Sequence, residues 1–212
     1  MRGVLRKATQ RGRDRALVVL AIAYFATVAF GPFDHGVRSS ADAVARGQVW
    51  LLLTSALGVR GDAPGLQIAA AAAVAALVIA REGPLTWWVA AVAGHVLSAV
   101  FAYALIGVAI TLGSAGADRA APQPDFGVSC VLGGSIGAAL VSGVEGLRSH
   151  RAGRRAGDVL ATGIGVTGAM ILIAFSIGWY AVEHVLSVAI GAAAAWPLIR
   201  SPSRRHAYAV HP

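Results

Sequence analysis

A serine beside a histidine can do nucleophilic chemistry, and this chain offers one such combination at the edge of apolar runs. Ser129 stands in PDFGVSCVLGGSIG, residues 124–137, and His184 in EHVLSVAIG, residues 183–191. A serine hydroxyl is a weak nucleophile at neutral pH, and a histidine within hydrogen-bond reach takes its proton as attack proceeds. Taken singly, neither residue demands that reading. A serine in a membrane helix commonly bonds its own backbone or a neighbouring helix, and an intramembrane histidine also serves structure or an ion path. The expectation rests on the pair, and therefore on whether the two side chains can meet.

Helical spacing says that they can. In steps of three or four, Ser129 is followed on its own face by Gly133 and Gly137, and His184 by Ser187, Gly191 and Ala195. Both stripes are small, the pattern through which membrane helices approach closely. Backbone N–H groups at the start of the serine helix are expected to meet an oxyanion, with Asp125 capping that end. Glu183 adjoins His184 but points about 100° away on a helix, so it is not assigned to orient the imidazole. His95, near the middle of another run, is expected to be neutral and bonded to a neighbouring helix, with Ser98 and Tyr103 as network members.

The elements that must carry these residues are membrane helices. Of 212 residues 57% are hydrophobic and 13% charged, with 26 glycines and a mean hydropathy of +0.67, far from a soluble domain. Apolar runs at 16–33, 65–80, 85–111, 127–144, 158–179 and 181–199 predict six spans of roughly the length that crosses about 30 Å of hydrocarbon. The turn REGP, residues 81–84, separates the second from the third. The expected organisation is a basic N-terminus at 1–15, a membrane domain at 16–200 and a tail at 201–212. Span one has no convincing cleavage site after it and reads as retained.

The net charge of +8 lies in short clusters between the spans, not along one face, so it marks topology and not nucleic-acid binding. Six Lys and Arg precede the first span, one lies in REGP, four in 147–158 and three from Arg200 onward. Only Arg38, Arg46, Arg60 and Arg119 fall in the alternate loops. Both termini are therefore expected in the cytoplasm, with Ser129 and His184 at matching shallow depth on the outer side. Residues 34–64 mix charge with an apolar run too short to span, predicting an interfacial amphipathic element. Trp87, Trp88, Trp179 and Trp196 fall where aromatic belts belong. The single cysteine, Cys130, excludes an intramolecular disulfide.

At these residues the chain resembles the rhomboid intramembrane serine proteases, in particular the divergent rhomboid-like proteins of high-GC Gram-positive bacteria. GQVWLLLTSAL, residues 47–57, looks like the loop-one signature of that family. GVSC stands where G-x-S-G opens helix four, and EHVLSVAIG where A-H-x-x-G-x-x-x-G opens helix six. The resemblance covers 16–200 and implies an all-α, six-helix bundle in the bacterial plasma membrane that cleaves transmembrane segments without a cofactor or metal. It implies Ser129 as nucleophile, His184 as general base, Gly127 allowing close approach at the helix start, and Gly191 as a packing position. Three departures stand out. Cys130 replaces the second glycine of G-x-S-G, Ser187 replaces the first glycine after the histidine, and Glu183 replaces the small residue before it. The family's H-x-x-x-N pair in helix two is missing, leaving Gln67 as the amide near that end. The alternatives are an inactive relative that binds transmembrane partners, and, more weakly, a small transporter around His95 and His184, which the scarcity of acids deep in the spans disfavours.

Overall fold

The structure, a computed structural model, describes residues 2–31, 37–59, 63–149, 155–174, 176 and 178–201. Residues 202–212 of the expected tail at 201–212, and Arg60 in the loop-one segment, lie outside them. The described chain is helical. Its elements are α1 (Arg2–Phe30), α2 (Ala41–Ala45), α3 (Leu51–Thr54) with a 3-10 turn at Ser55–Leu57, α4 (Pro64–Glu82), α5 (Pro84–Thr111), α6 (Ala115–Ala120), α7 (Val128–Arg148), α8 (Arg155–Ala174) and α9 (Trp179–Arg200).

Five of these, α4, α5, α7, α8 and α9, are long and apolar enough to cross a membrane. The expected first span differs. Its helix begins within the basic leader at Arg2, and the apolar part from residue 16 runs only to Phe30, a rise of roughly 22 Å at about 1.5 Å per residue. The break at REGP is sharp because Gly83 takes φ 80°, a left-handed conformation, and Pro84 then opens α5. Span five also ends early. α8 stops at Ala174, and Gly178 at φ 63° leads into α9.

α7 is the axis of the bundle: 72% of its apolar window is buried, against 17% for α8. Its small residues explain why. A Cβ on Gly134 would meet Ala90 O of α5 at 2.4 Å, one on Gly137 would meet Val188 O of α9 at 2.2 Å, and one on Gly143 would meet Thr162 Oγ1 of α8 at 2.3 Å. From the other side, a Cβ on Gly191 of α9 would lie 2.4 Å from Gly134 Cα. Backbones touch where side chains would otherwise keep helices apart, which is how packing supplies cohesion without a hydrophobic drive.

The segment between α1 and α4 is a string of short turns, with Val49, Trp50 and Leu53 exposed and Leu51 and Leu52 buried. It is tied to the segment before α7 by Ser39 and Asp125, whose backbones exchange bonds of 3.2 and 2.8 Å. Trp87 is not in a belt: it is fully buried, donates from Nε1 to Ser135 Oγ at 2.9 Å, and packs among Tyr24, Phe25 and Trp88. Indole size and a polar handle suit a core position when a partner is present.

Candidate functional site

α7 starts at Val128 with Gly127 as its N-cap, which places Ser129 in the first turn. α9 starts at Trp179, which places His184 in its second turn. α7 and α9 pack along their small faces, with Ser187 Oγ sitting where a Cβ on Gly133 would be, 1.9 Å away. The first turns therefore lie side by side, and Ser129 Oγ is 2.9 Å from His184 Nε2. Both residues are half-buried. A second acceptor, the Phe126 carbonyl, lies 3.4 Å from Ser129 Oγ. Ser187 is buried and donates to the His184 carbonyl at 2.8 Å, closing the turn beneath the imidazole.

The other imidazole nitrogen is also engaged. Nδ1 of His184 is hydrogen-bonded to Ser176 Oγ, in the connection between α8 and α9. Sequence reasoning missed this residue because it placed 158–179 in one continuous span, where Ser176 would sit within the last helical turn. The glycine two residues on, in FSIGWY, is the signal that the helix has ended.

Three expected site residues, Asp125, Gly127 and Cys130, have different surroundings from those anticipated. Asp125 does not cap α7; no side chain caps that end. Its carboxylate is buried and accepts from Tyr103 Oη at 2.9 Å, and Tyr103 is also 2.7 Å from Ser39 Oγ. A cap must stand beside the first turn with its oxygen aimed at N–H groups, and the bridge to Ser39 turns Asp125 away. Gly127 does permit a close approach, but what approaches is His95, whose Cε1 is 2.0 Å from where a Cβ would be. Cys130 is buried and donates from Sγ to Glu183 Oε1 of α9 at 3.3 Å, the residue next to His184 in sequence. Gln67 lies half-buried in the first turn of α4, at the same end of the bundle, since Ile68 and Ala71 pack with Val128.

His95 is buried and its Nε2 lies 3.3 Å from Ser55 Oγ, in the loop-one turn and not on a spanning helix. Ser98 bonds back to the His95 carbonyl at 3.1 Å, and Tyr103 belongs instead to the Asp125 cluster. Two first-turn donors of α7 are already occupied: Gly127 N–H donates to Ser55 O at 2.8 Å and Val128 N–H to Gly58 O at 3.4 Å. The N–H of Ser129 itself is the next along the turn, where an intrahelical acceptor is lacking.

A cavity of about 260 Å³ is lined by Tyr103, Asp125, Trp179, Tyr180 and Glu183 among others; neither Ser129 nor His184 lines it. Glu183 is buried in the bundle, as is Asp158. Both lie in the first or second turn of their helices, not at mid-span. Among the described residues no group of three or more His, Cys, Asp or Glu is arranged to hold a metal ion.

The arrangement brings a hydroxyl, a base that can accept its proton, and a polar group on the far side of that base into one line at the end of two closely packed helices. No family model matches the chain, and neither a curated protein nor a solved structure matches it.

Proposed function

We propose that the chain is a rhomboid-like membrane serine endopeptidase in which Ser129 attacks a peptide carbonyl of a transmembrane segment and His184 takes the hydroxyl proton. The observation that carries this reading is the 2.9 Å separation of Ser129 Oγ and His184 Nε2, within the range a nucleophile and its base require. In the first step Oγ bonds to the carbonyl carbon and its proton passes to Nε2. The oxyanion is met by first-turn backbone N–H of α7, with Ser129 N–H the donor beside the nucleophile. Collapse returns the proton from His184 to the leaving amine, and water then hydrolyses the acyl-enzyme by the same route. The site sits in a half-buried end of the bundle, where an unwound segment can reach water. The proposed setting is the bacterial plasma membrane with both termini cytoplasmic; α1 serves as the sixth helix of the bundle.

A second reading, a non-cleaving protein that binds transmembrane partners, is favoured by the occupied donors at the start of α7 and by the absence of a helix-two His/Asn pair. Removing one oxyanion donor costs a serine hydrolase about a hundredfold to a thousandfold. A transport path past His95 has less support, because α5, α7 and α9 meet backbone to backbone at Gly134.

The two readings separate in proteoliposomes holding the full chain and a mixture of single-span test proteins. The protease reading expects fragments cut near the membrane surface with the native chain and none with Ser129→Ala. Test proteins that co-purify intact with both forms would favour the binding reading.

A further inference from the structure

We propose that Ser176 is a positioning residue that fixes the tautomer of His184, leaving Nε2 unprotonated and facing Ser129; this deepens the protease reading and rests on it for its catalytic consequence. Ser176 Oγ has two neighbours, the Leu172 carbonyl and His184 Nδ1. A hydroxyl carries one hydrogen, and a carbonyl oxygen can only accept. The bond to Leu172 therefore consumes the Ser176 proton. Oγ then meets Nδ1 with a lone pair, so Nδ1 must supply the hydrogen of that bond. A neutral imidazole with its hydrogen on Nδ1 has its lone pair on Nε2, which at 2.9 Å is nearer Ser129 Oγ than the Phe126 carbonyl at 3.4 Å and so is the better acceptor of the Ser129 hydrogen. That is the tautomer a general base needs. The opposite one would present Nε2–H to the serine and could only donate.

The placement follows from the chain. Leu172 is four residues before Ser176, the spacing at which a hydroxyl reaches back to a helix carbonyl. Because α8 ends at Ala174, that carbonyl is among the last four of its helix, and the N–H four residues on, that of Ser176, donates to Ile173 O instead at 3.1 Å. The Leu172 carbonyl orients the serine, and the serine orients the histidine. Glu183, the carboxylate adjacent in sequence, is held instead by Cys130, so the task falls to a neutral side chain on a different element.

The test uses the full chain in detergent with ¹⁵N-labelled histidine, the His184 signals being those missing from His184→Ala. The expected result is the Nδ1–H tautomer in the native chain and in Ser176→Thr, and a shift toward Nε2–H in Ser176→Ala. In parallel, the rate of fluorophosphonate labelling should fall about tenfold to a hundredfold in Ser176→Ala, part of the 10²–10⁴ that base catalysis supplies, and recover in Ser176→Thr. A bond that served only structure would lower the melting temperature without moving the tautomer. His184 found as Nε2–H in the native chain overturns the proposal, as does a Ser176→Ala protein with native tautomer and native labelling. The Nδ1–H tautomer in a native chain that resists labelling supports the role of Ser176 while defeating the protease reading.

Discussion

The two ends of α7 solve opposite problems with polar side chains. At its start, the Ser129 and Ser176 hydroxyls and the His184 imidazole are half-buried and joined by hydrogen bonds. Toward its end, Ser142 donates to Glu82 Oε1 at 2.6 Å and accepts from Arg81 Nε at 3.0 Å, and Arg81 pairs with the buried Asp158 of α8. Glu145 pairs with Arg200 of α9 at 3.1 Å, whose guanidinium also lies over Trp196. Full charges fasten α4, α7, α8 and α9 together at one end. At the other end the groups are joined by hydroxyl, imidazole and thiol hydrogen bonds, two of which end on the buried carboxylates of Asp125 and Glu183. Breaking a buried ion pair strands a charge, whereas breaking a hydroxyl–imidazole bond strands little. The two ends are thus joined by different kinds of polar contact.

Substitutions can separate the two roles. The largest expected effect is on chemistry: Ser129→Ala abolishes fluorophosphonate labelling, and His184→Ala lowers it about a hundredfold or more, while thermal melting in detergent stays near native for both. Next comes the fastened end. Asp158→Ala leaves Arg81 beside a vacated site and should cost about 3 kcal/mol, measured by denaturation in detergent, with labelling of the folded fraction unchanged. If labelling instead fell as far as stability did, the two ends would not be independent. Gly191→Ala tests the packing between them. Its Cβ would overlap Gly134, so α7 and α9 must separate, with an expected loss of about 1–3 kcal/mol and weaker labelling as Ser129 and His184 part. The smallest effect belongs to Cys130→Ala, which removes one weak donor from Glu183 and should cost about 1 kcal/mol. The same thiol serves as a reporter: it is fully buried and the only cysteine, so a maleimide should reach it only as the bundle opens.

The pairing of Ser129 with His184 was legible because it depends on period and sidedness. Glycines at 133, 137 and 191 repeat at helical spacing, and small faces find one another regardless of detail. Five long apolar helices were legible for the same reason. What escaped reading depended on single helix ends. Whether 158–179 is one span or stops at Ala174 turns on Gly178, and Ser176 has a role only if the helix stops. Asp125 looked like a cap because its type and place fit one. Its carboxylate went instead to Tyr103, a partner 22 residues away that no local pattern announces. Trp87 was misread as a belt residue because position along a helix does not say which way a side chain faces; Ser135, across the bundle, decides that.

The central claim is that Ser129 is an activated nucleophile. Its most direct test is peptide mapping by mass spectrometry after treating the purified full chain with a fluorophosphonate, beside a rhomboid of known activity. The account predicts one adduct, on the peptide containing Ser129, and none in His184→Ala over the same time. A native chain left unmodified while the control is labelled, or an adduct on any other residue, would contradict it.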